Sequence, residues 1–178
     1  MSPSSKIPGG NLVAAPIIIS KGKSFKVKQE IKIENNSKQQ YEIHYTVDGT
    51  EPTLRSAAYT GTFTINKSCQ VRAKAYHLND SSSTTVAIFV KRPNDYSIKI
   101  KHPYNPQYTA GGSDGIIDGI NGTENWKKGE WQGYQYKDLE CVIDLKKIRD
   151  IGYFSGNFLQ DSRSWILFPN QLILYGSM

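Results

Sequence analysis

Five hard oxygen donors, Asp114, Asp118, Asn121, Thr123 and Glu124, crowd into a glycine-rich stretch of this 178-residue chain. Carboxylate, amide and hydroxyl oxygens on a backbone able to turn tightly suit a hard cation such as calcium, although the spacing is not that of an EF-hand loop. The same residues equally build an Asx/Gly turn with no metal in it. A second group is aromatic and planar-polar: Trp126, Tyr134, Tyr136, Arg163 and Trp165. An aromatic face suits the apolar side of a pyranose, and planar polar groups suit its hydroxyls. Asp161 and Arg163 read as an exposed turn. Trp131, ahead of Gln132-Gly133, reads as a packing residue, and Trp165, at a strand entry, also has the setting of a core residue.

Other chemistry is missing. Glycoside hydrolysis needs a carboxylic acid poised beside the scissile oxygen. Asp138 and Glu140 lie two apart and share one strand face, but that face is the solvated side of a strand whose other side is Leu139 and Cys141. There is no Gly-x-Ser-x-Gly elbow and no phosphate loop. His44, His77 and His102 are scattered, and Cys69 and Cys141 fall in different halves with no CxxC or HxxxH spacing, so no zinc site is expected. Both cysteines share strand phase with apolar neighbours and read as small buried hydrophobes.

The net charge of +6 is uneven, with 13 Lys/Arg against 6 Asp/Glu in residues 1–92 and 9 against 10 in residues 93–178. A basic half can signal nucleic acid. Here Lys26, Lys28 and Lys32 alternate with Phe25, Val27, Ile31 and Ile33, which is the pattern of a solvated strand face, so nucleic acid is not an expected partner. No run of eighteen apolar residues exists to span a membrane. Residues 1–10 lack the apolar stretch of a signal peptide.

These groups need elements to hold them, and the pattern throughout is strand. Ser24–Glu34 alternates with Phe25, Val27, Ile31 and Ile33 inward, and Gln29 is the one break in that row. Tyr41–Val47 repeats the period, with Tyr41, Ile43, Tyr45 and Val47 inward, and ends at Asp48-Gly49, a strong turn signal. Phe63–Ile65, Cys69–Tyr76 and Thr84–Val90 complete a set spaced like a β-sandwich. Tyr45, Tyr59 and Tyr76 read as core or inter-sheet residues. Arg92-Pro93-Asn94-Asp95 reads as a seam. Beyond it come a strand at Tyr96–Ile100, a long loop over Pro103–Tyr136, and strands at Leu139–Leu145, Ile151–Leu159 and Ile166–Tyr175. No segment carries a capped helical stripe, so the expected class is all-β.

The segment Tyr45-Thr46-Val47-Asp48-Gly49-Thr50-Glu51-Pro52-Thr53, with Tyr59-Thr60-Gly61 and Val71-Arg72-Ala73-Lys74-Ala75-Tyr76, resembles the small immunoglobulin/fibronectin-like sandwich that follows the barrel of bacterial β-N-acetylhexosaminidases (chitobiases). Asp114-Gly115-Ile116-Ile117-Asp118-Gly119, Trp131-Gln132-Gly133-Tyr134, Lys137-Asp138-Leu139, Val142-Ile143-Asp144-Leu145 and Phe158-Leu159-Gln160-Asp161, with Ser164-Trp165-Ile166 and Pro169, resemble the discoidin-like module that follows it in family-20 enzymes of Bacteroidetes. Many such modules are sugar-binding jelly rolls of carbohydrate-binding family 32.

The resemblance implies three regions. Residues 1–11 are a disordered or expression-derived start, 12–92 an immunoglobulin-like sandwich, and 93–178 a partial discoidin-like jelly roll, because the family's Ser-x-Asp-Gly hairpin and later strands are missing after Leu172–Leu174. It implies a structural calcium on Asp118, with Asn121 and Thr123 contributing, and glycan contact by Trp126, Tyr134, Tyr136, Asp161 and Arg163. Family-20 catalysis uses an adjacent Asp-Glu pair, and no Asp-Glu dipeptide occurs here. The expectation is therefore a non-catalytic accessory region of a secreted, periplasmic or surface hexosaminidase. It would partner that enzyme's catalytic domain and a glycan, without inserting in a membrane. An adhesin-like protein-interaction module is the alternative.

Overall fold

A computed structural model describes residues 13–37 and 40–177. The start expected at 1–11 lies outside those residues. The protein is all-β. It has eleven strands among the described residues: β1 (Ile17–Ile19), β2 (Ser24–Phe25), β3 (Gln29–Glu34), β4 (Glu42–Thr46), β5 (Ala57–Ala58), β6 (Phe63–Ile65), β7 (Cys69–His77), β8 (Asp80–Ser81), β9 (Thr85–Lys91), β10 (Ser97–Ile100) and β11 (Cys141–Asp144). The chain divides into two compact units. One takes residues up to Lys23 together with Val27–Phe89; the other takes Ser24–Lys26 and everything from Val90 onward. Ser24 and Phe25 go with the second unit because β2 pairs in parallel with Val90 and Lys91.

The first unit has two sheets, in agreement with a β-sandwich. One is antiparallel in the order β1-β3-β6; the other carries β9, β7, β4 and β5 in that order, with β8 paired to β7. Period-two alternation puts Ile31 and Ile33 of β3 and Val71, Ala73 and Ala75 of β7 on inner faces, all at 3% exposure or less. Gln29, the polar break in the inner row, is nonetheless buried, and its side-chain amide donates to the Glu30 carbonyl. Aromatic rings join the layers: Tyr45 of β4 stacks on Phe63 of β6 at 4.4 Å, and the Tyr59 hydroxyl accepts from the Ile33 amide at 3.0 Å. The reading of Tyr45 and Tyr59 as inter-sheet residues follows the observed contacts.

The alternation misplaces two residues. Val27 is 73% exposed, because Ser24–Glu34 is two strands and Val27 lies in the bend between them. Val47 is 38% exposed, past the end of β4 where the chain turns.

In the second unit β10 and β11 form an antiparallel pair, Ser97 opposite Asp144 through Ile100 opposite Cys141. Their flanks are tied by Lys101, which donates to both Glu140 carboxylate oxygens, so Glu140 serves this surface pair. The remainder is turns, three short 3-10 segments and isolated bridges. The strands expected at Ile151–Leu159 and Ile166–Tyr175 do not form. An extended segment becomes a strand only through a ladder of backbone hydrogen bonds with a neighbour, and among the described residues the only bridge in this region joins Asp161 to Ile166. Ile151, Tyr153, Phe154, Leu167, Phe168, Leu172, Ile173, Leu174 and Tyr175 are accordingly all exposed.

Candidate functional site

The motif loop of the first unit folds over the outer face of its own sheet. Asp48 accepts from the Thr50 amide at 3.0 Å and the Thr50 hydroxyl at 2.6 Å, fixing a tight turn. Gly49 has φ +83, and a Cβ there would lie 2.8 Å from Gln70 Oε1. Pro52 is fully buried, and its carbonyl accepts from the Tyr76 hydroxyl at 2.6 Å. Glu51 accepts from Thr84 Oγ1 and pairs with Arg72 at 2.7 Å and Lys74 at 3.6 Å. The Thr84 bond, with Arg72 and Lys74 adding to it, holds the Glu51 carboxyl below its ordinary range. Asp48, Thr50, Glu51, Arg72 and Lys74 thus help hold the loop down, and Tyr76 serves that loop instead of the core.

Asp114 and Asp118 of the glycine-rich stretch lie against Arg92. Arg92 Nη1 donates to Asp114 Oδ2 at 2.6 Å. Asp118 is 6% exposed, its Oδ1 accepts from the Ile120 amide at 2.8 Å, and the Ser24 side chain lies nearby. Burial pushes its carboxyl above the ordinary value of 3.8, against the pull of the Ile120 amide, Arg92 and Ser24. Asn121 Oδ1 accepts from Asn157 Nδ2 at 2.9 Å, and the Thr123 carbonyl accepts from the Trp131 indole at 2.6 Å. The trio expected to hold calcium therefore sends its oxygens to three different partners. Among the described residues no three His, Cys, Asp or Glu side chains gather within reach of one ion. As placed, these oxygens serve separate hydrogen bonds.

The raised Asp118 pKa carries a sign. The native state holds this proton more tightly than the unfolded chain, so Asp118 lowers stability as pH rises from about 3.8 through its raised value. Asp118→Asn is expected to flatten that part of the curve, as urea titrations of the two proteins at stepped pH will show.

The aromatic group separates into inward and outward members. Trp131 packs on Gly122, where a Cβ would lie 2.4 Å from its ring, so it is the packing residue the sequence suggests. Tyr134 is turned inward: its hydroxyl donates to Gln132 Oε1 at 2.6 Å, Gln132 Nε2 donates to the Gly112 carbonyl at 2.9 Å, and burial pushes the phenol up to about 12. Tyr136 is 96% exposed on left-handed backbone.

Trp126 opens a 3-10 turn, Trp126–Lys128, capped by Asn125. Tyr108 meets its ring edge-on at 5.7 Å, and Lys127 Nζ lies over it at 5.3 Å. Its side chain approaches Asp161 closely enough to help lower that carboxyl, and Asp161 accepts from the Arg163 amide at 3.2 Å and Ser164 Oγ at 2.7 Å, capping the turn Ser162–Ser164. The Ser164 bond first, then these others, holds the Asp161 carboxyl below its ordinary range. Arg163 is exposed in that turn. Trp165 closes the turn at φ +57 and is 87% exposed, so its core-like setting in the sequence is overturned by left-handed backbone that throws the ring outward. The structure thus joins Trp126, Asp161, Arg163 and Trp165 in one loop cluster, and leaves Tyr134 and Tyr136 out of it.

A family model described as Fn3 associated matches residues 30–89. The match falls in the first unit and agrees with an immunoglobulin- or fibronectin-like sandwich there. No curated protein matches the chain. Among the described residues no helix is long and apolar enough to cross a membrane.

Proposed function

We propose that this chain is a non-catalytic accessory region of a secreted, periplasmic or cell-surface carbohydrate-active enzyme, of the β-N-acetylhexosaminidase (chitobiase) type. In this reading the first unit is the spacer sandwich beside the catalytic barrel, and the second is a discoidin-like module that contacts glycan. The observation that carries it is Trp165, 87% exposed and closing the Ser162–Ser164 turn that holds the exposed Arg163, on a loop whose capping Asp161 is approached by Trp126. An outward indole beside planar donors is the composition that stacks on a pyranose and reads its hydroxyls.

Electrophoresis through gels containing GlcNAc- or galactose-bearing polysaccharide tests this. Retardation of the native chain, lost on Trp165→Ala and weakened at least tenfold on Arg163→Ala, is the expected result. Unchanged mobility in every glycan overturns glycan contact. An adhesin-like protein-interaction role is favoured by one feature, the exposed apolar side chains between Ile151 and Tyr175.

A further inference from the structure

Asp161 and Ile166 exchange both backbone hydrogen bonds, each at 3.0 Å, across the turn formed by Ser162–Ser164 and Trp165. This is the closing pair of an antiparallel hairpin, and it fixes the register of the two arms that run from it. Among the pairs this register creates, Leu159 meets Phe168, Phe158 meets Pro169, Phe154 meets Ile173 and Tyr153 meets Leu174, apolar on apolar. Asn157 meets Asn170, amide on amide. Pro169 also suits the register, because it falls in a non-hydrogen-bonded pair where no N–H is needed from it. The two arms are complementary.

Within one chain they do not meet. Beyond the Asp161–Ile166 pair, no backbone hydrogen bond joins the arms among the described residues. A cleft of about 540 Å³ lies between residues 156–158 on one side and 168–172 on the other. Asn157 holds the first arm to its own unit, its Nδ2 donating to Asn121 Oδ1 at 2.9 Å. The exposed portions of Tyr153, Phe154, Phe158, Phe168 and Tyr175 amount to about three whole rings, roughly 600 Å². Ile151, Leu167, Leu172, Ile173 and Leu174 bring the total to the ~800 Å² that one partner contributes to a stable interface. No charged residue occurs in 151–160 or 166–175, so a charged partner finds nothing to pair with and a second copy meets no like charge. The turn between the arms is strained at Trp165, whose φ of +57 is costly for any residue with a Cβ. A short strained loop between complementary arms invites exchange between copies.

We propose that two copies of this chain exchange the arm of residues 167–175, so that it pairs in each copy with the 151–160 arm of the other. The register set by Asp161 and Ile166 then continues between chains as an antiparallel ladder, and one two-fold arrangement closes the open edges of both copies. Opening the turn releases Trp165 from left-handed backbone and undoes the Asp161 cap. The exchanged dimer and the loop cluster of Trp126, Asp161 and Trp165 are therefore alternative states of one segment. Dimer formation needs no glycan.

Sedimentation equilibrium of the full chain over a wide concentration range tests the mass, and cysteine pairing tests the register. Expected is a dimer with twice the 20.0 kDa mass of one chain. Leu174→Asp, at a side chain exposed in the single chain, puts a charge in the ladder and should raise the dimer dissociation constant by about tenfold or more. Phe154 and Ile173 form a non-hydrogen-bonded pair, close enough across strands for a disulfide. Chains carrying Phe154→Cys, mixed with chains carrying Ile173→Cys and mildly oxidised, should give a disulfide-linked dimer. Either variant oxidised alone is the control for links through Cys69 and Cys141. A chain that stays monomeric throughout, a dimer without the 154–173 link, or a doubly substituted chain that links only within itself overturns the proposal.

Discussion

Ile31→Ala is expected to lower the unfolding free energy of the first unit by about 4 kcal/mol, near the top of the range for emptying a buried aliphatic site. Ile31 has no exposed surface and lies mid-strand in β3, opposite Phe63 of β6 and on the same inner face as Ile33. Removing its outer carbons loses their transfer free energy and leaves a void between layers that are already pinned. Tyr45 is stacked on Phe63, and Tyr59 is bonded to the Ile33 amide, so little can collapse inward. Ile17→Ala, on the edge strand at 44% exposure, should change stability by less than about 1 kcal/mol. The chain offers separate readouts, since its three tryptophans, at 126, 131 and 165, all lie in the second unit. Ile31→Ala should move the far-ultraviolet transition; a shift no larger than that of Ile17→Ala would show that the layers do not pack as described.

Arg92→Met is expected to cost the second unit about 3 kcal/mol, seen as an earlier tryptophan-fluorescence transition in urea. The methionine keeps the aliphatic stem and removes only the guanidinium. Its loss leaves Asp114 without its ion pair and the buried Asp118 without a nearby cation. The value sits at the low end for a broken buried pair because the Asp114 side chain is 40% exposed and water takes up part of its charge. The double variant Arg92→Met with Asp118→Asn should recover part of the loss, since no unpaired buried charge then remains at Asp118. Full additivity of the two would show that Asp118 and Arg92 do not interact.

Much of the first unit was written in its residue order. The strand alternation, the Asp48-Gly49 turn and the inter-sheet tyrosines all follow from local rules: side chains alternate every second residue, and a glycine takes the positive φ that a tight turn demands. The resemblance of the motif loop was equally visible, but its meaning was not. Glu51, Pro52 and Tyr76 appear in order along the chain, while the fact that they fasten one another depends on a loop folding back across β7. His44 gave no signal at all, because its burial against Tyr76 and its contact with the Ser56 carbonyl exist only once β7 and the motif loop lie beside β4.

The second unit shows the limit from the other side. Apolar runs at Ile151–Leu159 and Ile166–Tyr175 carry strand-like composition, yet a strand is a relation between two segments and composition names only one of them. Trp165 looked internal by its neighbours and is external by its backbone angle. The glycine-rich oxygen donors were legible as a cluster in sequence. The tertiary structure instead sent Asp118 towards Ser24 and Arg92, Asn121 towards Asn157, and the Thr123 carbonyl towards Trp131. Residue order by itself determined which side chains could alternate, turn or ligate. Only the fold decided which of them met, because burial, charge neutralisation and hydrogen-bond partners are supplied by residues distant in the chain.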